Sequence, residues 1–90
     1  MDINSVFIVK DDFCVREIAR ETVLLSETTD HIHNLDEMGT FIFRLIDGKN
    51  SLDDILTVLC NDYAVDYEIA KADLLSFIQE LQDKDIVEEI

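Results

Sequence analysis

The stretch from Asp30 to Gly48, DHIHNLDEMGTFIFRLIDG, separates two hydrophobic patterns in this chain. Before it, apolar residues come in short runs typical of β-strands, and after it they recur at the spacing of one face of an α-helix. Strands followed by helices favour an α+β domain, in which the helices cover one face of a small antiparallel sheet. The order of the elements predicts a winged-helix-like arrangement of a three-stranded sheet followed by three helices.

Three strands are predicted before the change of pattern. Residues 13–18 and 22–25 are rich in β-formers and predict a hairpin, and residues 31–35 predict a third strand after a polar turn over Glu27 to Asp30. The apolar run from Val6 to Val9 is ambiguous. It predicts either a further strand or an arm docked on the core, so the role of residues 1–12 stays open.

The first helix is expected to begin after Asp36, whose carboxylate can accept from the free amides of the next turn. It is expected to end at Gly48, a residue suited to a left-handed C-cap. Its core stripe comes from residues at helical spacing, with Phe43 and Ile46 widening it: Met38, Phe41, Ile42 and Leu45.

Two more helices are predicted toward the C-terminus. Ser51 and Asp54 resemble a capping box with Asp in place of Glu, and that helix is expected to end near residues 61–63. The last helix runs from Asp66 or Tyr67 to Asp83, with Leu74, Phe77, Ile78 and Leu81 on one face. Because no linker composition or repeat interrupts the chain, we expect residues 1–90 to form a single domain.

Charge narrows the range of partners. The formal net charge is −14, with 21 acidic residues against 7 basic ones, so the field of the protein repels nucleic acid and anionic membranes. No apolar run approaches the ~18 residues of a membrane span, and the N-terminus lacks the features of a signal peptide. We therefore expect a cytoplasmic protein, with Cys14 and Cys60 reduced.

No catalytic motif is present, and a domain of this size has little room for both a core and a closed active site. We therefore expect a binding protein that is not an enzyme and uses no cofactor. His31 and His33 share one face of the third strand, but two imidazoles without a third ligand are a weak metal signal, so no metal site is predicted.

Caps, helix ends and core positions form an ordered set along the chain: Arg16-Glu17-Ile18, Leu24-Leu25, Leu35, Ile46-Asp47-Gly48, Ser51-Leu52-Asp53-Asp54-Ile55, Tyr63-Ala64-Val65-Asp66, Asp73, Leu81 and Ile86-Val87. This ordered set resembles the PqqD-like family, whose members include the peptide-recognition domains used in making ribosomally synthesised, post-translationally modified peptides. The resemblance covers nearly everything from Val15 to Val87.

Two positions depart from the family pattern. Asp36 stands where the family often has Asn, and it caps a helix equally well. Asp85 stands where Gly is common before the last apolar pair, and Asp tolerates a left-handed turn better than most residues.

The resemblance implies a groove between the third strand and the third helix. Members of the family bind the leader region of a precursor peptide there and present it to a modifying enzyme, often a radical-SAM enzyme or a leader protease. The peptide would add to the edge of the sheet at His31, Ile32, His33 and Asn34. On the third helix, a column beside the core stripe is the expected second wall: Lys71, Leu75, Ile78 and Gln82.

Other interpretations remain open at this stage. Leu75 can equally pack on the sheet, and Lys71 can be an ordinary solvated helix residue. A winged-helix DNA-binding regulator is a second possible function, although Lys71 is the single basic residue between Asp66 and Asp83. A third is an accessory subunit that stabilises an enzyme without contacting its substrate.

Overall fold

The computed structural model describes residues 1–29 and 31–90, and Asp30, which we assigned to the turn before the third strand, lies outside the described residues. Within these described residues, five strands and three helices follow in the order β1 (Phe7–Val9), β2 (Phe13–Ile18), β3 (Glu21–Ser26), β4 (Ile32–Leu35), α1 (Glu37–Leu45), α2 (Leu52–Tyr63), α3 (Tyr67–Asp83) and β5 (Val87–Glu89). The predicted α+β class is confirmed.

Strands β2, β3 and β4 form one antiparallel sheet in that order. The register places Val15, Leu24 and His33 in one row across the three strands, on the face that the helices cover. Leu24 and Leu35 are buried on this face. Both the hairpin and the third strand therefore form where the alternation of apolar residues predicts them.

A second, two-stranded sheet joins the ends of the chain. Phe7 to Val9 pair antiparallel with Val87 to Glu89, and the Ile90 amide donates to the Val6 carbonyl at 2.9 Å. The side chains of Phe7 and Val87 are buried in the core. The N-terminal apolar run, left open between strand and arm, is thus strand β1. Its pairing with the chain end was not anticipated from the sequence.

Helix α1 begins as predicted and ends earlier than predicted. The Asp36 carboxylate accepts from the Gly39 amide at 2.8 Å, which caps the helix. The helix ends at Leu45 with Ile46 as its C-cap, so Gly48 is not the cap. Gly48 has φ +78° in the turn that follows, where the Asp47 carboxylate accepts from the amides of Lys49 and Asn50. These local bonds offer the backbone an alternative to a further helical turn.

The caps of α2 and α3 confirm the predicted starts. Ser51 and Asp54 bond reciprocally, with the Ser51 amide donating to Asp54 Oδ2 at 2.9 Å and the Asp54 amide to Ser51 Oγ at 3.1 Å. Asp66 caps α3 through the Glu68 amide. The core stripe of α3 is buried, namely Ala70, Leu74, Ile78 and Leu81.

A buried polar contact fixes the sheet against α1. The hydroxyl groups of Thr22 on β3 and Thr40 on α1 lie 2.8 Å apart, and both residues are almost fully buried. Because a buried hydroxyl without a partner is costly, this pair sets how α1 lies on the sheet. Within the described residues, none of the helices is long and apolar enough to cross a membrane.

Candidate functional site

Strand β4 is an edge of the three-stranded sheet, and its backbone has a defined polarity. The Ser26 amide donates to the His31 carbonyl at 3.1 Å, so this pair is hydrogen-bonded in the antiparallel ladder. Hydrogen-bonded and non-bonded pairs alternate along such a ladder. The amides and carbonyls of Ile32 and Asn34 therefore point away from β3, toward the outside of the sheet.

A cavity of about 270 Å³, here called the β4 cavity, lies between this edge and the C-terminal half of α3. From the strand side it is lined by His33, Asn34, Leu35 and Asp36, and from the helix side by Phe77, Glu80, Leu81 and Lys84. Its floor is apolar, because Leu35, Leu81 and Ile86 belong to the core. Its rim is polar and carries both signs of charge.

Gly39 allows the two walls of the β4 cavity to approach closely. A Cβ atom at this position would lie 3.3 Å from the Phe77 ring and 3.2 Å from the Asp36 capping carboxylate. Such distances are tighter than ordinary contacts, so a larger residue would push Phe77 away from the first turn of α1. The small residue thus keeps the aromatic ring beside the end of β4.

Charges at the rim are arranged around Lys84. Its Nζ lies 3.0 Å from Glu80 Oε1, one helical turn earlier. On the strand side, partial desolvation lowers the pKa of the His33 imidazole, and the positive charges of Lys84 and His31 lower this pKa further. These effects favour the neutral form of the His33 imidazole. Within residues 1–29 and 31–90, the structure has no group of three or more His, Cys, Asp or Glu side chains able to hold a metal ion.

The structure brings the predicted strand residues together at one place. His31 immediately precedes β4, and Ile32, His33 and Asn34 lie within it. His33 and Asn34 line the β4 cavity, whereas the Ile32 side chain is 60% exposed on the opposite face of the sheet.

The four residues predicted on α3, unlike two of those on the strand, do not line the β4 cavity. Ile78 is fully buried in the core, and Lys71, Leu75 and Gln82 are half-buried. The last three form the far flank of α3, which lies about half a turn around the helix from Phe77, Glu80 and Lys84 at 3.6 residues per turn. These latter three residues, here the cavity flank, line the β4 cavity. A peptide contact at Lys71, Leu75, Ile78 or Gln82 stays a prediction.

Sequence reasoning missed the residues of the cavity flank as site residues. Phe77 was assigned to the core stripe, but it is half-buried and lies at the stripe's margin. A large aromatic residue at the margin of an apolar stripe was the available signal, since such a side chain often serves a surface that another molecule covers. Glu80 and Lys84 carried no signal beyond ordinary helix charges.

Comparison with solved structures gives three similar folds. TbiB1, solved in complex with the TbiA(beta) leader peptide, is 28% identical, with a TM-score of 0.84 covering 90% of this chain and 94% of that one. A lasso peptide synthetase B1, complexed with the leader peptide, has a TM-score of 0.83 at 18% identity, and the match covers 91% of this chain and 96% of that one. At that identity the likeness shows the fold alone.

The heterocyclase TruD contains a similar fold within a much longer chain. Its TM-score is 0.67 at 22% identity, and the match covers 96% of this chain but 12% of TruD. This likeness also concerns the fold alone. Among curated proteins, no significant match is found.

The sequence also matches a protein family directly. The family described as Coenzyme PQQ synthesis protein D (PqqD) matches residues 21–87, which run from the start of β3 to the start of β5. The matched region contains β4, all three helices and the residues that line the β4 cavity. This chain therefore belongs to the PqqD family.

Proposed function

We propose that this chain binds the leader region of a ribosomally made precursor peptide and presents it to a modifying enzyme, without catalysing a reaction itself. In this proposal residues 1–90 act as one peptide-binding unit in the cytoplasm, where the precursor is made. The observation that carries the proposal is the free edge of β4 beside an apolar-floored cavity. The leader complex of TbiB1, at 28% identity, supports it.

The β4 edge offers specific groups to a peptide. Ile32 and Asn34 present two amides and two carbonyls outward, so a peptide in extended conformation can form a ladder of four hydrogen bonds. His33 alternates with them and places its side chain in the β4 cavity. A bound peptide would therefore project every second side chain toward Phe77.

Backbone pairing alone does not account for useful affinity. Four hydrogen bonds contribute roughly 2–6 kcal/mol net, whereas ordering four peptide residues costs about 4–8 kcal/mol. Micromolar binding needs about 8 kcal/mol beyond that cost. Apolar side chains of the peptide must supply the difference, at about 1.5–3 kcal/mol each. The floor of the β4 cavity is the surface available to them.

For the enzyme partner we propose a class of enzyme and no individual protein. A radical-SAM enzyme or a leader protease fits a protein that holds the leader, because the leader must stay bound while another part of the precursor is modified or cut. The bound peptide tethers the rest of the precursor near the enzyme and raises its effective concentration. No step of that chemistry requires a side chain of this chain.

The test is a pair of proline substitutions on the two edges of the sheet. Ile32→Pro removes an outward amide of β4 while leaving the bonds to β3 intact. Val15→Pro is the matched control, since Val15 is 45% exposed and its amide also points outward, but from the β2 edge. Ile32→Ala controls for the loss of the side chain.

Binding is measured by isothermal titration with the leader of the precursor encoded beside this chain's gene. We expect Ile32→Pro to raise Kd by at least tenfold, while Val15→Pro and Ile32→Ala stay within about threefold of wild type. If wild type shows no binding below about 100 μM, leader binding is wrong. If Val15→Pro is the weaker binder, the peptide pairs with β2 instead.

A further inference from the structure

A second opening, here called the apolar cleft, lies between α1 and the start of α3. It has a volume of about 70 Å³, and its walls come from all three helices and the α2–α3 connection: Met38, Ile42, Leu59, Val65, Ile69, Ala70 and Asp73. Ile69 is 61% exposed and Val65 38% exposed at its mouth. Because Asp73 is its one charged lining residue, the cleft suits an apolar side chain.

The apolar cleft and the β4 cavity follow one another along the same side of α3. Ile69 and Asp73 precede Phe77 by eight and four residues, so they continue the cavity flank toward the helix start. The start of α1 contributes to the opposite wall of both openings. Asp36, its N-cap, lines the β4 cavity, and Met38 in its first turn lines the apolar cleft.

We infer that the apolar cleft is a second anchor site for the leader peptide, and this inference rests on the proposed function. The sheet is antiparallel throughout, and a peptide that continues this pattern runs opposite to β4. Its N-terminal end then lies beside Leu35, where β4 gives way to α1. The residues that precede the paired segment pass over the first turn of α1 and reach Met38 and Ile69.

The spacing of the two anchors follows from the geometry of helix and strand. Ile69 and Phe77 are eight residues apart on α3, so they lie about 12 Å apart along its axis. An extended peptide covers that distance in about four residues. The cleft should therefore take an aliphatic or aromatic side chain about four residues N-terminal to the one that contacts Phe77.

A second copy of this chain is a poorer occupant of the cleft. Each copy carries a formal net charge of −14, so two copies repel one another as they approach. The leader peptide, by contrast, reaches the cleft directly when it pairs with β4 in this direction. Self-association is nevertheless an outcome that the experiment detects.

The experiment uses two leader peptides and two matched variants. Ile69→Asp places a carboxylate at the cleft, in the first turn of α3, where negative charge is favourable for the helix. Ile18→Asp is the control, because Ile18 is 67% exposed on β2 and the substitution changes the net charge equally. The peptides are the full leader and the same leader truncated to the segment that pairs with β4.

We expect Ile69→Asp to raise Kd for the full leader by at least tenfold and to leave Kd for the truncated leader unchanged. Ile18→Asp should match wild type with both peptides. An Asp scan of the peptide against wild-type protein gives an independent measurement, since it should reveal two sensitive positions about four residues apart. This second measurement decides the matter if Ile69→Asp does not fold.

The outcomes separate the two levels of the proposal. If wild type binds neither peptide, leader binding itself is wrong, and this inference with it. If wild type binds and Ile69→Asp binds the full leader equally well, only the second anchor is wrong. If sedimentation shows a wild-type dimer that Ile69→Asp converts to a monomer, the cleft is a self-association surface and the inference is also overturned.

Discussion

The two flanks of helix α3 are alike in composition and differ in what they face. Each carries one lysine and one half-buried apolar residue, Lys84 with Phe77 on the cavity flank and Lys71 with Leu75 on the far flank. The cavity flank borders the free edge of β4, whereas the far flank lies about half a turn away. Position relative to the sheet, and not composition, therefore makes one flank a candidate site.

This comparison shows what an amphipathic pattern specifies. The buried stripe of α3 is defined by Ala70, Leu74, Ile78 and Leu81, and the stripe has two margins. Helical periodicity does not distinguish between these two margins. Which margin meets β4 depends on the chain path through α1 and α2, and on contacts such as Thr22 with Thr40 that set how α1 lies on the sheet.

The largest expected effect comes from placing a carboxylate on each flank in turn. Both Phe77 and Leu75 pack against the core, so Phe77→Asp and Leu75→Asp should each destabilise the fold by about 1–3 kcal/mol. Phe77→Asp should also weaken leader binding by roughly 10- to 100-fold, the cost of losing one apolar anchor. Leu75→Asp should leave Kd unchanged in the folded protein.

The measurement is titration well below the melting temperature of each variant, with melting curves recorded in parallel. These curves separate loss of binding from loss of folded protein. If Leu75→Asp weakens binding while Phe77→Asp does not, the peptide lies on the far flank, as the sequence pattern predicted, and the assignment to the cavity flank is wrong.

A smaller effect on Kd is expected from a change of pH, because the histidines lie beside the β4 cavity and not on the far flank. Both histidines of the chain, His31 and His33, lie at β4. The pKa of His33 is already lowered by desolvation and by the charges of Lys84 and His31, and a peptide that covers His33 would lower it further. Protonation of His33 then opposes binding, so Kd should rise as the pH falls through the lowered pKa of His33.

The pH profile is measured from about pH 7.5 to 5.5, with His33→Gln as the control. Other ionisable groups near His33 are Lys84, His31, Asp12 and Asp85. We expect a rise in Kd of a few fold for wild type and a flatter profile for His33→Gln. A flat wild-type profile would indicate that the peptide does not cover His33.

Much of the fold could be predicted because its signals are local. Asp36 and the Ser51–Asp54 pair cap their helices as predicted, and Asp66, which caps α3, lies at the predicted start of that helix. Hydrophobic periodicity and residue composition also predicted the hairpin, β4 and the ends of α2 and α3. The prediction that α1 ends at Gly48 was wrong, because the Asp47 carboxylate accepts from the amides of Lys49 and Asn50 and forms a turn there instead.

Contacts between residues far apart in the sequence could not be predicted from local patterns. The pairing of β1 with β5 joins residues at opposite ends of the chain, and no local signal specifies such a partner. The strand wall of the β4 cavity contains His33 and Asn34, two of the predicted strand residues, because this wall depends on β4 alone. The helix wall contains Phe77, which was not among the predicted wall residues, because the margin of α3 that faces β4 depends on how three helices pack on one sheet.

Amide hydrogen exchange is the most direct test of peptide pairing at β4, because it measures the backbone amides of this strand one by one. We expect saturating leader peptide to slow exchange at the outward amides of Ile32 and Asn34. The amide of His33 faces β3 and should change little. Protection that appears at Val15 and Glu17 on the β2 edge instead, with Ile32 and Asn34 unchanged, would contradict peptide binding at β4.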